Sequence, residues 1–410
     1  MFKLLSKNIL IYGSTNLIKS LVPFLMLPIL TMYLTLEEFG KLSLIETTIL
    51  FLTPFILLNI NAAINVEYFK LEKVELKNYI TNALMLSFFA FCFFTFIFFI
   101  FEDFLVKMFG MDRDIVMFLT LFAFLRVFSS VTLGLFQVRA QASKFALFTI
   151  FQTSIDLTLS YLFVVLMGAG YFGRLEGIYT AFFIASLLGA YLLVKMGYIG
   201  KINFAYTKEI LKFGIPLIPH AVGGTIIAMS DRFFISYFHG NAEVGLYTVA
   251  YQISALMLLV SLSVNQAWSP FLFKMLKKEQ IRKALEYTLY LFIFFTLSGI
   301  GIFLFKDFLF YIFVDQEFYA AKEFFLYLLL GFLFQSFYFL VTNLLFYEKK
   351  TLLLAKITLS GAVLNMVLNY FFIHLYGTIG VAYATTITWF VFFILVVMVD
   401  FKIIKRYMLK

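Results

Sequence analysis

Charge is scarce in this chain. Asp, Glu, Lys and Arg make up only 13% of its 410 residues, while 63% are apolar and 58 are phenylalanine. That shortage excludes an ordinary soluble domain, which carries roughly twice as much charge, so lipid must be the solvent for most of the surface. Cysteine is nearly missing too. Cys92, the single one, lies in an apolar run, which excludes an intrachain disulfide and argues against a thiolate metal cluster. Of the three histidines, His220 reads as a packed helix residue rather than a proton carrier. No GxxxxGK loop occurs, so the chain is not expected to use ATP directly. The net charge of +9 is spread over short loops. Without a basic arm or stripe it points to membrane topology, not nucleic acid.

What is present is one apolar run after another. Crossing the hydrocarbon core takes about 20 apolar residues as helix. Such runs fall at about 8–34, 42–66, 78–102, 113–139, 144–168 and 176–198, then at about 210–238, 244–270, 282–306, 318–347, 351–376 and 378–400. Twelve transmembrane helices are therefore predicted, an all-α polytopic membrane protein. The opening MFKLLSKNILIYG runs into the first span without a small-residue cleavage site, and is expected to be a retained span rather than a signal peptide. With the N-terminus inside, 23 Lys and Arg fall on the cytoplasmic side, six outside and three within spans. Cytoplasmic loops retain such cations, so both termini are expected in the cytoplasm.

The two sets of six spans resemble each other. EEFGKLSL (37–44) aligns with AEVGLYTV (242–249), placing Gly40 over Gly245, and DLTLSY (156–161) aligns with NMVLNY (365–370). Gly168 then falls over Gly377 and Gly177 over Gly380. Six is an even number, so both halves enter the membrane in the same direction, a parallel repeat of the transporter kind. The predicted organisation is a six-helix lobe at 1–198, a basic cytoplasmic linker at 199–209, and a second lobe with a cytoplasmic tail at 210–410. All six prolines lie in spans 1, 2, 7 and 8: Pro23, Pro28, Pro54, Pro216, Pro219 and Pro270. Two readings of these stay open, kinks needed for packing and bends that gate a path.

One series is more specific. FGIPLIPHAVGGTIIAMSDRFFI (213–235), followed by AEVGLYTVAYQI and AWSPFLF, resembles the polysaccharide flippases of the multidrug/oligosaccharidyl-lipid/polysaccharide (MOP) exporter superfamily. LPILTMYLTLEEFGKLSL and LNMVLNYFFIHLYGTIGVAYAT fit the same group, so the resemblance spans nearly the whole chain. It implies two six-helix lobes in a V-shaped, MATE-like fold working by alternating access. It implies as substrate an undecaprenyl-diphosphate-linked oligosaccharide unit of O-antigen or capsule type, in the bacterial inner membrane. Polymerase and chain-length proteins of such a pathway are the expected partners; no cofactor is expected, and whether Na+, H+ or neither drives transport stays open.

Charges inside the membrane are costly and so are candidates for function. Lys19 is near the middle of span 1, at the end of a lane of Asn8, Tyr12 and Thr15. It is the first choice for the substrate diphosphate, with Asn16 beside it. Arg126 and Asp156 lie at similar depth in adjacent spans and read as a buried pair, or Asp156 as an ion-coupling site. These three leave one cation to spare, which again favours Lys19. Asp231 and Arg232 are sequence neighbours about 100° apart on a helix and do not simply pair. They read as an interhelical lock, or Arg232 as an outer phosphate or sugar contact. Asn59, Asn61 and Asn65 correspond in region to Asn265 and Gln266, with Asn61 falling on Gln266. These amides suit sugar hydroxyls or kinked backbone equally. Tyr247 and Trp268 are expected in the interfacial aromatic belt.

Two rivals remain. A membrane glycosyltransferase or polymerase should offer a large outer loop with acid, base or arginine groups, but the longest here are roughly a dozen residues, about 102–113 and 307–318. A small-molecule exporter of the same fold differs only in its site.

Overall fold

A computed structural model describes residues 2–348 and 350–408, with the side chains of 2–10, 16–17, 108–109, 220, 224, 228, 351–352 and 406–408 outside that description. The described residues are helical almost throughout and contain no strand. Among the described residues, twelve helical segments are long and apolar enough to cross a membrane, as the hydropathy pattern predicts.

The chain divides by its contacts into two compact units, Met1–Thr225 and Ile226–Lys410. The first holds α1 (Phe2–Tyr33), α2 (Leu36–Leu57), α3 (Ile60–Glu67), α4 (Lys73–Ile100), α5 (Glu102–Phe109), α6 (Arg113–Phe124), α7 (Val127–Val138), α8 (Ala142–Tyr161), α9 (Gly170–Lys195) and α10 (Ala205–Gly214). Helix α11 (Ile218–His239) starts in the first unit and ends in the second. There α12 (Asn241–Ser254), α13 (Leu256–Lys277), α14 (Ile281–Leu304), α15 (Lys306–Phe313), α16 (Lys322–Tyr347), α17 (Thr351–Tyr376) and α18 (Thr378–Met408) follow. The division thus lies inside a helix, some way past the 199–209 linker. Physical attachments explain this. The non-helical backbone at 200–203 needs partners for its N–H groups. Thr81 Oγ1, Asn78 Oδ1 and Asn82 Oδ1 on α4 accept from Gly200, Lys201 and Asn203 at 2.8, 2.8 and 3.2 Å.

Proline positions match the helix breaks unevenly. Pro23, Pro28 and Pro270 lie inside continuous helices, whereas Pro216 sits in the 3₁₀ turn Ile215–Leu217 that separates α10 from α11. Past Pro54, Leu58 and Asn59 both take left-handed backbone, with φ of 49° and 52°, and end α2. Span 2 is therefore two helices, not the single one expected. Asn59 Nδ2 donates to the Gly214 carbonyl at 3.3 Å and holds the break against the end of α10.

The repeat is visible in the packing of each unit. The third span of the second unit, α14, is the least buried there, and that of the first, α4, is as little buried as the span of α8. The exposed faces of α4 and α14 are lined with phenylalanine and tyrosine where lipid is the solvent. The outer segments read as loops contain short helices instead, α5 and α15. Arg113 Nε meets Glu102 at 3.2 Å and also pairs with Asp103. Lys322 meets Asp307 at 2.7 Å and holds that carboxyl below its ordinary range.

Gly177 and Gly380, matched in the repeat, do the same job. A methyl on Gly177 would fall 2.7 Å from the Ser160 backbone nitrogen, and one on Gly380 would fall 2.6 Å from the Phe372 carbonyl carbon. These neighbours are backbone and cannot rotate away. Gly177→Ala and Gly380→Ala are each expected to cost about 1–3 kcal/mol, read as a lower unfolding temperature of the purified protein. An unchanged temperature would refute the close crossing.

Candidate functional site

The first unit gathers its charges around α8 and α9. Asp156 on α8 pairs with Arg174 on α9, not with Arg126 as expected. Ser160 completes the triangle, donating to Asp156 Oδ1 at 3.1 Å and accepting from Arg174 Nη1 at 2.5 Å. The physical reason is the start of α9 at Gly170, which brings Arg174 into the helix and buries it. Because the predicted span began near 176, Arg174 was counted as an outer-loop cation. Breaking a buried pair leaves an uncompensated charge. Asp156→Asn should therefore destabilise the protein by about 3–5 kcal/mol. Asp156→Asn combined with Arg174→Gln should lose less, since no bare charge remains, and thermal unfolding of the three variants tests this.

Arg126 then has a different setting. It lies at the break between α6 and α7, its guanidinium 4.6 Å from the centre of the Phe182 ring. Its Nε is buried without a hydrogen-bond partner among the described residues. The break frees the Leu125 carbonyl, which accepts from Ser186. Tyr179, stacked on Phe122 with centroids 3.6 Å apart, lies within electrostatic reach of Arg126, Arg174, Asp156 and Glu46. Glu46, an α2 carboxylate that sequence reasoning missed, brings the charges of this centre to three cations and two carboxylates.

The third cation is Lys19. It is exposed on α1, beside Ile18 and Leu21, and within electrostatic reach of Arg126. Neither Lys19 nor Arg126 forms an ion pair among the described residues. Of the polar lane expected to lead to Lys19, the side chain of Asn8 lies outside the described residues. Thr15 is buried and donates to Ile11 O at 2.7 Å. Tyr12 packs edge-on against Phe145, beside Phe136 and Phe148. The side chain of Asn16 lies outside the described residues, as does that of His220.

The second unit builds a different centre. Asp231 is fully buried and accepts three neutral hydrogen bonds. They come from Tyr247 Oη at 2.5 Å, Thr385 Oγ1 at 2.7 Å and Asn369 Nδ2 at 2.8 Å. Asn369 Nδ2 also reaches Asn365 Oδ1 at 3.2 Å, which accepts from Ser230 Oγ at 3.1 Å. Four helices, α11, α12, α17 and α18, thus meet on one carboxylate. Arg232 is buried on the same helix, its guanidinium 4.7 Å from the centre of the Tyr251 ring. Tyr247 belongs to this network and not to an aromatic belt, and Trp268 is likewise buried.

Asn365 and Asn369 were also missed. The repeat held the signal: the match of DLTLSY to NMVLNY puts them over Asp156 and Ser160. Each unit uses the same two positions, one turn apart, as its polar hub.

The amides behave separately. Asn61 Oδ1 accepts from Ser130 Oγ at 3.3 Å and ties α3 to α7. Asn265 Oδ1 accepts from Asn343 Nδ2 at 2.7 Å, while Gln266 is exposed on α13. No cluster of three or more His, Cys, Asp or Glu able to hold a metal ion occurs among the described residues.

These features define a polytopic helical membrane protein with buried polar centres in both of its units. Residues 5–276 match the family model described as polysaccharide biosynthesis protein, and residues 216–371 match the MatE model. The first match covers well over half of the chain, and the protein belongs to the polysaccharide biosynthesis family. An uncharacterized membrane protein of Haemophilus influenzae is 29% identical over 287 residues, 68% of this chain and 67% of its own length. A second Haemophilus influenzae protein, named for the Lsg locus, is 23% identical over 368 residues, 87% of this chain and 88% of its own. Among solved structures, an inward-facing multidrug resistance MATE transporter of the MOP superfamily superposes with a TM-score of 0.78 at 19% identity, covering 95% of each chain. The lipid II flippase MurJ in an inward closed conformation gives 0.73 at 15% identity, over 96% of this chain and 87% of its own. The fold is that of MOP-superfamily transporters.

Proposed function

We propose that this protein is a flippase carrying undecaprenyl-diphosphate-linked oligosaccharide repeat units, of O-antigen or capsule type, from the cytoplasmic to the periplasmic leaflet of the bacterial inner membrane by alternating access. The observation that carries this reading is the pair of cations Lys19 and Arg126, placed at span depth without ion pairs among the described residues. Positive charge without a paired carboxylate among the described residues suits a diphosphate, for which charge-assisted hydrogen bonds are the strong contacts. Membership of the polysaccharide biosynthesis family supports a sugar-bearing cargo. In this reading both termini are cytoplasmic, and a polymerase and chain-length proteins take the units onward.

Asp231 is the better coupling group of the two carboxylates considered. Asp156 is neutralised by a guanidinium, whereas Asp231 is held by hydroxyl and amide groups that can turn to share it with a proton or sodium ion. Arg232, Asn61 and Gln266 remain sugar or phosphate contacts of this proposal.

Proteoliposomes with a sugar-labelled undecaprenyl diphosphate oligosaccharide test the function. Protein-dependent exposure of the label to a membrane-impermeant oxidant is expected. Release of small cationic dyes with no movement of the labelled lipid would instead make the protein a small-molecule exporter.

A further inference from the structure

The second unit contains a cavity of about 280 Å³ between α13, α14, α16 and α18. Its wall is apolar, formed among others by Leu276, Leu285, Phe292, Leu344 and Val397, with the exposed ring of Phe401 at the rim. One charged side chain breaks this lining. Asp400 is 5% exposed, and its Oδ1 is shut from solvent with no hydrogen-bond partner among the described residues. Thr288, the hydroxyl in the wall, donates to the Ala284 carbonyl at 2.7 Å and is spent. Lys350 acts on Asp400 through space, yet forms no ion pair with it among the described residues.

A buried carboxylate with a spare oxygen is costly unless a donor reaches it. The donor that fits must be cationic at one end and apolar over the rest. We propose that this cavity is a binding site for a lipophilic primary amine, its ammonium on Asp400 and its alkyl chain along Leu285, Phe292 and Val397. The volume lies just under the range of about 300–1,000 Å³ usual for small-molecule sites, so a single short chain fits better than a bulky ring system. An ammonium partner also separates this site from the proposed diphosphate contacts, which are cations. Binding here stands or falls independently of flipping.

The ammonium can come from a free alkylamine or from the head group of an aminophospholipid. Full-length protein in phosphatidylcholine nanodiscs is titrated with radiolabelled octylamine, with protein-free discs subtracting partition into the bilayer. One saturable site per chain is expected, weakened about tenfold or more by Asp400→Asn and by Val397→Trp, which fills the cavity and keeps the carboxylate. Unlabelled octylamine should compete and octanol should not, a comparison that needs no variant. Phosphatidylethanolamine added to the discs separates the sources: a lipid occupant lowers the apparent affinity for octylamine, and a free-amine site keeps it. Absence of a saturable site, or equal competition by octanol, overturns the proposal.

Discussion

Lys19→Ala is expected to lower translocation of lipid-linked oligosaccharide about ten- to a hundredfold while leaving the protein in the membrane at its normal level. The magnitude follows from a charge-assisted hydrogen bond, about 1.5–3 kcal/mol, at about 1.4 kcal/mol per tenfold. The insensitivity of folding follows from placement: Lys19 is exposed on α1 and makes no ion pair among the described residues, so its loss strands no partner. Lys19→Arg keeps the charge, offers a two-pronged contact to phosphate, and should retain transport within a few-fold. Lys19→Gln should behave like alanine. Initial flipping rates, normalised to membrane abundance, decide this. A Lys19→Ala protein that transports like its parent would remove the residue from the substrate path.

Asp231→Ala is expected to cost stability instead. It strands Tyr247, Thr385 and Asn369, whose three hydrogen bonds converge on that carboxylate in the protein interior. Buried donors left unmade cost about 1–3 kcal/mol each and do not simply add, so a loss of about 3–5 kcal/mol is expected, with low yield from membranes. Asp231→Asn keeps the shape, and the two hydroxyls can rotate to donate elsewhere, so it should fold. Its defect should appear in coupling: with flipping driven by an imposed sodium or pH gradient, the asparagine variant should lose its response to the driving ion. If it follows both gradients as the parent does, Asp231 is a lock between helices and nothing more.

The twelve spans were legible because each demands its own long apolar run, a signal that survives any packing. Helix ends were less so, and one of them mattered. Apolarity alone put the sixth span at about 176, yet the helix begins at Gly170, where glycines let it approach α8. Six residues of error turned Arg174 into a loop residue and left Asp156 to be assigned to Arg126. The break at Leu58 and Asn59 was only half signalled, since Asn takes left-handed backbone readily and Leu is an unusual residue for it. Lys19 and Asp231 were legible because charge within an apolar run is conspicuous. Neutral polar residues such as Asn365, Asn369 and Thr385 are not, and only the repeat could have marked the first two.

The most direct measurement is where lipid-linked repeat units collect in cells lacking this protein, read by leaflet-selective labelling of their sugars. Translocation by this protein predicts units held on the cytoplasmic leaflet, restored to the outer leaflet by the parent gene and not by Lys19→Ala. Single units reaching the outer leaflet unaided, with only polymer missing, would contradict it and point to a polymerase.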